Sequence, residues 1–185
     1  MRRVAFWSPK GGAGKTTLAL NFAAAANKAG YKVLVCDLDP QKSATDIFSE
    51  NKLPFSVIPS QPAVMPSVDF LIYDHPPLMS SIPEVETIII PMRPSILDLK
   101  AVSRALRAIR DKRIIKCINA LDIRRHEERF IATKLYAQGA HLVRDRSIYV
   151  SSLAKGETVF QQEGYGAKDA QNEINRLLER VIAGN

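Results

Sequence analysis

The sequence is poor in most of what would mark a specialised scaffold. Only two of its 185 residues are cysteine, and each sits inside an apolar run, Val33-Leu-Val-Cys36 and Ile114-Ile-Lys-Cys117-Ile118. Two thiols buried in strands make neither a disulfide framework nor a cysteine-ligated metal site. The three histidines, His75, His126 and His141, have no ligand-spaced partners, and His126 and His141 are expected at the surface or at an edge. No apolar stretch approaches the ~20 residues that span a bilayer, and Met1-Arg2-Arg3 runs straight into a strand-like segment instead of a signal-peptide core. The expectation is a cytoplasmic chain, intact from Met1 and folded as one domain over 1–185. Glycine and proline number only nine and eleven; with 46% apolar and 24% charged residues, that composition excludes a disordered polymer.

Acidic and basic residues balance everywhere except in one stretch. Residues 1–99 hold nine Lys/Arg and nine Asp/Glu, and residues 135–185 hold six and six, but residues 100–134 hold eleven and four. The whole formal charge of +7 therefore lies in one segment, which points to a face for a polyanion rather than to general solubility.

Continuous apolar runs at Val4–Trp7, Val33–Cys36, Phe70–Tyr73, Ile88–Ile90 and Ile114–Ile118 read as strands buried on both faces, as in a parallel sheet covered by helices. Segment 51–69, with four prolines, reads as a connection holding one short strand at Phe55–Ile58. Helices are predicted over Thr16–Ala29, ending at Gly30, over Ser95–Arg110 with Ser95 as N-cap, over about Arg124–Gln138 and over Asp169–Ile182. On the second, Ile96, Leu99, Val102, Leu106 and Ile109 form an apolar stripe, with Lys100, Arg104 and Arg107 roughly opposite. Strands alternating with helices and joined by right-handed crossovers give a three-layer α/β fold, a mainly parallel sheet with helices on both faces.

After the first strand comes Ser8-Pro9-Lys10-Gly11-Gly12-Ala13-Gly14-Lys15-Thr16-Thr17, leading into a helix. Strand, glycine-rich turn and helix are what a phosphate loop requires, because backbone N–H groups at a helix start can surround an anion. The pattern G-x-x-x-x-G-K-[ST] fails at its first position, where Pro9 stands, so the match is to the deviant form K-G-G-x-G-K-T with its additional lysine, Lys10. Gly11, Gly12 and Gly14 let the backbone approach phosphate. Lys15 supplies a cation and Thr16 a hydroxyl for Mg²⁺.

At these residues the chain resembles the ParA/MinD deviant Walker-A ATPases, most closely the short ParF-type plasmid-partition branch. The likeness continues in Asp37-Leu38-Asp39-Pro40-Gln41, in Asp74-His75-Pro76-Pro77 and in Ile148-Tyr149-Val150 with Gly156-Glu157-Thr158-Val159-Phe160. The resemblance implies a P-loop NTPase that binds ATP or ADP with Mg²⁺ through Lys10 to Thr17. Lys10 would cross the interface of an ATP-dependent homodimer to the partner's phosphates. Asp39 would orient the attacking water beside its neighbour Asp37, Asp74 would hold Mg²⁺ through water, and Asn119 would contact adenine. It also implies non-specific DNA binding, association with the nucleoid, and a small ParB-like or ribbon-helix-helix adaptor that stimulates hydrolysis. Lys100, Arg104, Arg107, Arg124, Arg125 and Arg146 are the cations expected on DNA, with Arg110, Lys112, Arg113, Arg129 and Arg144 extending them. Two other readings compete. A MinD-type switch would need a basic amphipathic C-terminal helix, whereas this one mixes Glu, Asn, Gln and Arg, so no stable membrane association is expected. An ATP-dependent metabolic enzyme of the same fold has no iron–sulfur ligands here to support it.

Overall fold

The computed structural model describes residues 1–77, 82–109 and 111–184. Seven strands form one sheet: β1 (Arg2–Phe6), β2 (Val33–Asp37), β3 (Ser56–Ile58), β4 (Phe70–Asp74), β5 (Thr87–Met92), β6 (Arg113–Leu121) and β7 (His141–Arg144). Their order is β3-β2-β4-β1-β5-β6-β7, and every pairing is parallel. Six helices cover the sheet: α1 (Lys15–Lys28), α2 (Ser43–Ser49), α3 (Ile96–Leu106), α4 (His126–Ala137), α5 (Ser147–Leu153) and α6 (Ala167–Ala183). Strand alternation sends Val4, Phe6, Val35 and Ile72 into one core with α1 and α6, and Ala5, Trp7, Cys36 and Tyr73 into another with Val102 of α3 and Leu135 of α4. The result is the expected three-layer architecture.

Local sequence explains where the helices begin and end. Ser95 Oγ accepts from Asp98 N at 3.1 Å, capping α3, and Gly30, at φ 90°, closes α1 as its Tyr31 N–H bonds back to Ala26 O. The apolar face of α6 is spent internally: Ile174, Leu177, Leu178 and Val181 are all buried.

Several expectations are corrected. Helix α3 stops at Leu106, short of Arg110, which lies outside the described residues. Ile96 is 63% exposed, not on the buried stripe, because one helical turn places it in line with Lys100 and Arg104. His141, expected at the surface or at an edge, lies on the edge strand β7 but is buried there: its Nε2–H donates to Glu173 O at 2.9 Å and desolvation lowers its pKa to about 4. Arg113 turns inward to donate to the carbonyls of Arg180 and Val181 at the C-terminal end of α6, where a cation is favoured.

Leu177→Ala, at a position with no exposed surface, should cost about 2–5 kcal/mol in urea unfolding. Ile96→Ser should change stability by no more than about 0.5 kcal/mol, as expected of an exposed position.

Candidate phosphate-binding site

Parallel pairing in register carries Phe6 beside Asp74 and Asp37 beside Asp74, so β1, β2 and β4 end level with one another. The loop after β1 thus opens at the carboxyl edge of the sheet, where open α/β folds bind ligands. Gly12 and Gly14 take the left-handed conformation, φ 71° and 86°, which a side chain would resist. At Gly14 there is no room either: a Cβ would lie 2.1 Å from Asn119 Nδ2. Lys15 is buried at the start of α1 and Thr16 stands next to it. Together with Asp39, Gln41, Pro76, Arg93 and Leu153 the loop lines a cleft of about 700 Å³.

Asp74 is wholly buried, and only half of its carboxylate is satisfied. Oδ2 accepts from the Thr16 hydroxyl at 2.6 Å, whereas Oδ1 has no hydrogen-bond partner among the described residues. Desolvation, reinforced by the nearby Asp37 and Asp39 and opposed by the Thr16 bond and Lys15, raises its pKa from 3.8 to about 7. An orphaned carboxylate oxygen beside a threonine hydroxyl suits a hard divalent cation, directly or through water. Among the described residues no cluster of three or more His, Cys, Asp or Glu could hold a metal ion.

The segment after β2 is held by Asp37. Its Oδ2 accepts from both the N–H and the hydroxyl of Thr45 at 2.9 Å, and its Oδ1 from Asp39 N at 3.2 Å. Asp39 is half-buried on the cleft wall and accepts from Gln41 N at 3.0 Å, a turn that fixes its backbone. Lys10 projects from the other side of the loop, 41% exposed, and its Nζ lies 2.6 Å from Asp98 Oδ1. Desolvation would raise the Asp98 pKa, but the Lys10 ammonium, the Arg93 N–H at 3.0 Å and the Ser95 hydroxyl together outweigh it and lower the pKa.

Asn119, the residue expected at adenine, donates its amide to Ala13 O at 2.9 Å and so supports the glycine-rich turn. The softer C-terminal motif is tied to the same loop. Val159 N donates to Asn21 Oδ1, and Asn21 Nδ2 in turn donates to Thr17 O, both bonds within 2.9 Å. Sequence reading missed Asp98 and Arg93. A carboxylate at the third position of a capped helix reads as ordinary capping, and an arginine after β5 looks like one more surface cation.

The cations expected on DNA divide into two groups. Lys100, Arg104 and Arg107 are exposed, with no ion pair among the described residues. Arg124 is clamped by both oxygens of Asp122 at 2.8 and 2.9 Å, and Arg125 pairs with Glu128 at 2.9 Å, so these two are surface groups whose charge is already offset. Arg146 departs furthest from expectation: its side chain is only 17% exposed and lies between Glu173 at 2.9 Å and Asp169 at 3.3 Å.

Fold and loop together define an α/β P-loop nucleotide-binding domain. The chain belongs to the CobQ/CobB/MinD/ParA nucleotide-binding domain family, whose model matches residues 4–159. It is 29% identical to the maintenance of carboxysome distribution protein A of Halothiobacillus neapolitanus, over 94% of this chain and 93% of that protein. Among solved structures, the plasmid partition protein of Borrelia burgdorferi bound to AMPPNP superposes with a TM-score of 0.78 at 17% identity, covering 97% of this chain and 99% of that one. The MinD cell division protein of Aquifex aeolicus gives 0.76 at 18%, covering 97% and 98%.

Because the folded state raises the Asp74 pKa from 3.8 to about 7, this group's contribution to stability is complete below about pH 4 and lost as pH climbs through about 7. Asp74→Asn removes that dependence. In urea unfolding without nucleotide, the variant should gain on the wild type by on the order of 1–4 kcal/mol between pH 4 and pH 8; parallel pH profiles would show that the carboxylate is solvated.

Proposed function

We propose that this chain is a Mg-ATP-dependent ATPase that dimerises face to face and positions a plasmid, chromosome or other cargo on DNA. The observation that carries the reading is the convergence of Lys15, Thr16 and Asp39 on one open cleft at the carboxyl edge of the sheet, with the buried Asp74 bonded to Thr16 behind it. Phosphoryl transfer to water needs positioning and charge neutralisation more than covalent chemistry. Loop N–H groups and Lys15 bind the phosphates, Thr16 and Asp74 hold Mg²⁺, which offsets phosphate charge, and Asp39 orients water. Lys10 completes the partner's site. Gly11 and Gly12 are exposed, and so are Ile96 and Leu97 at the start of α3, at 63% and 71%, which suits the close approach of a second copy.

Two relatives carry names that concern distribution or partition, of carboxysomes in one and of a plasmid in the other; these names support a cargo-positioning role, to which our reading adds a small adaptor as stimulating partner. The exposed stripe Lys100, Arg104 and Arg107, without an ion pair among the described residues, supports contact with the phosphates of DNA, without base readout. Against a membrane role stands α6, whose apolar face is buried within the fold, and among the described residues no helix is long and apolar enough to cross a membrane.

Lys15→Ala should abolish ATP binding. Lys10→Ala should bind nucleotide as a monomer yet form no dimer with a slowly hydrolysed analogue, as read by light scattering, and Asp39→Ala should dimerise but turn over at least about 100-fold more slowly. A Lys10→Ala protein that dimerises and hydrolyses like the wild type would remove the deviant-loop mechanism.

For DNA, Arg104→Ala combined with Arg107→Ala should weaken ATP-dependent binding to unrelated duplexes alike. It should also lower the slope of log affinity against log salt by about two per protomer engaged. Unchanged binding with hydrolysis intact would assign the stripe to another partner.

A further inference from the structure

The loop from β5 to α3, Met92-Arg93-Pro94-Ser95, brings a third cation to the phosphate cleft. Because β5 pairs with β1, Arg93 emerges beside the glycine-rich turn. Its backbone is fixed on both sides: its N–H donates to Asp98 Oδ2 at 3.0 Å, and its carbonyl accepts from Ser95 N at 2.8 Å. Pro94 behind it is buried. The side chain, by contrast, is exposed and lacks a carboxylate partner among the described residues. Its Nε makes one long contact, 3.4 Å, to Gly12 O, and the residue lines the same cleft as Gly11, Lys15, Thr16 and Asp39.

A cation with an anchored backbone, an uncompensated charge and only a weak bond to a phosphate-loop carbonyl is poised for an anion. The 3.4 Å contact lies beyond the usual range and costs little to give up. Exchanging it for phosphate oxygens would gain charge-assisted, two-point bonds that a planar guanidinium makes and an ammonium does not. We propose that Arg93 contacts the terminal phosphate of the bound nucleoside triphosphate in its own protomer, selecting triphosphate over diphosphate and offsetting charge as the phosphoryl group passes to water. It donates hydrogen bonds throughout and transfers no proton. Asp98 then positions two cations of the site, Lys10 through its side chain and Arg93 through its backbone. The inference rests on the ATPase reading above.

The test uses the full chain with Mg²⁺, comparing wild type, Arg93→Ala and Arg93→Lys for binding of fluorescent ADP and a non-hydrolysable ATP analogue, and for phosphate release. Arg93→Ala should weaken the triphosphate analogue about tenfold or more, leave ADP within about twofold, and slow hydrolysis by about 100-fold or more. Arg93→Lys, which keeps the charge but not the fork, should fall between. If Arg93→Ala proves unstable in thermal melting, Arg93→Lys decides, with a selective loss of the triphosphate expected. Equal loss of both nucleotides, or wild-type binding and turnover in the variants, overturns the role. A wild-type chain that binds neither nucleotide overturns the ATPase reading and this inference with it; Lys15→Ala, losing both nucleotides where wild type binds them, separates the two failures.

Discussion

The in-register parallel pairing of β1 with β4 is the constraint on which the site depends. It sets Phe6 opposite Asp74, and from that single alignment the Thr16 hydroxyl comes within 2.6 Å of a buried carboxylate. Side chains alternate along a strand, so a slip of one residue would bring Tyr73 to that level and turn Asp74 to the other face. The apolar faces of both strands, buried in separate cores, hold the register: Val4, Phe6 and Ile72 cannot exchange sides with Ala5, Leu71 and Tyr73 without exposing or overfilling a layer.

Without a ligand, this corner of the molecule is electrostatically unfinished. Asp74 carries an oxygen with no partner among the described residues, and Arg93 a guanidinium with only a long contact. Lys10 is compensated by a carboxylate of its own chain. One buried carboxylate oxygen and one exposed guanidinium are thus left without strong partners among the described residues, a state that a polyphosphate with its cation would resolve.

Much of this was legible in the sequence. The five continuous apolar runs became β1, β2, β4, β5 and β6 because burial on both faces leaves few polar interruptions, Lys116 of β6 being one, and the glycine loop announced itself through spacing alone. Helices α2 and α5 were missed: at seven residues each they are too short to show an apolar period. Strand β7, only four residues with a histidine and an arginine in them, has too little apolar character to stand out. The fate of individual cations was illegible for a different reason. Arg104 and Arg146 look alike in sequence, yet one faces solvent and the other lies between Glu173 and Asp169, a distinction that depends on which carboxylates the tertiary fold brings near. Asn119 likewise could be placed at a strand end, but not under Gly14.

Helix α3 joins two parts of the molecule that are usually considered separately. Its first turn carries Asp98, bonded to Lys10, and its outer face carries Lys100, Arg104 and Arg107. Eleven residues of helix form a rod roughly 16 Å long, held to the sheet mainly by Val102 and Ala105. The carboxylate bonded to Lys10 and the exposed cations therefore ride on one element, and the distance between the phosphate loop and that stripe is set by the length of a single helix.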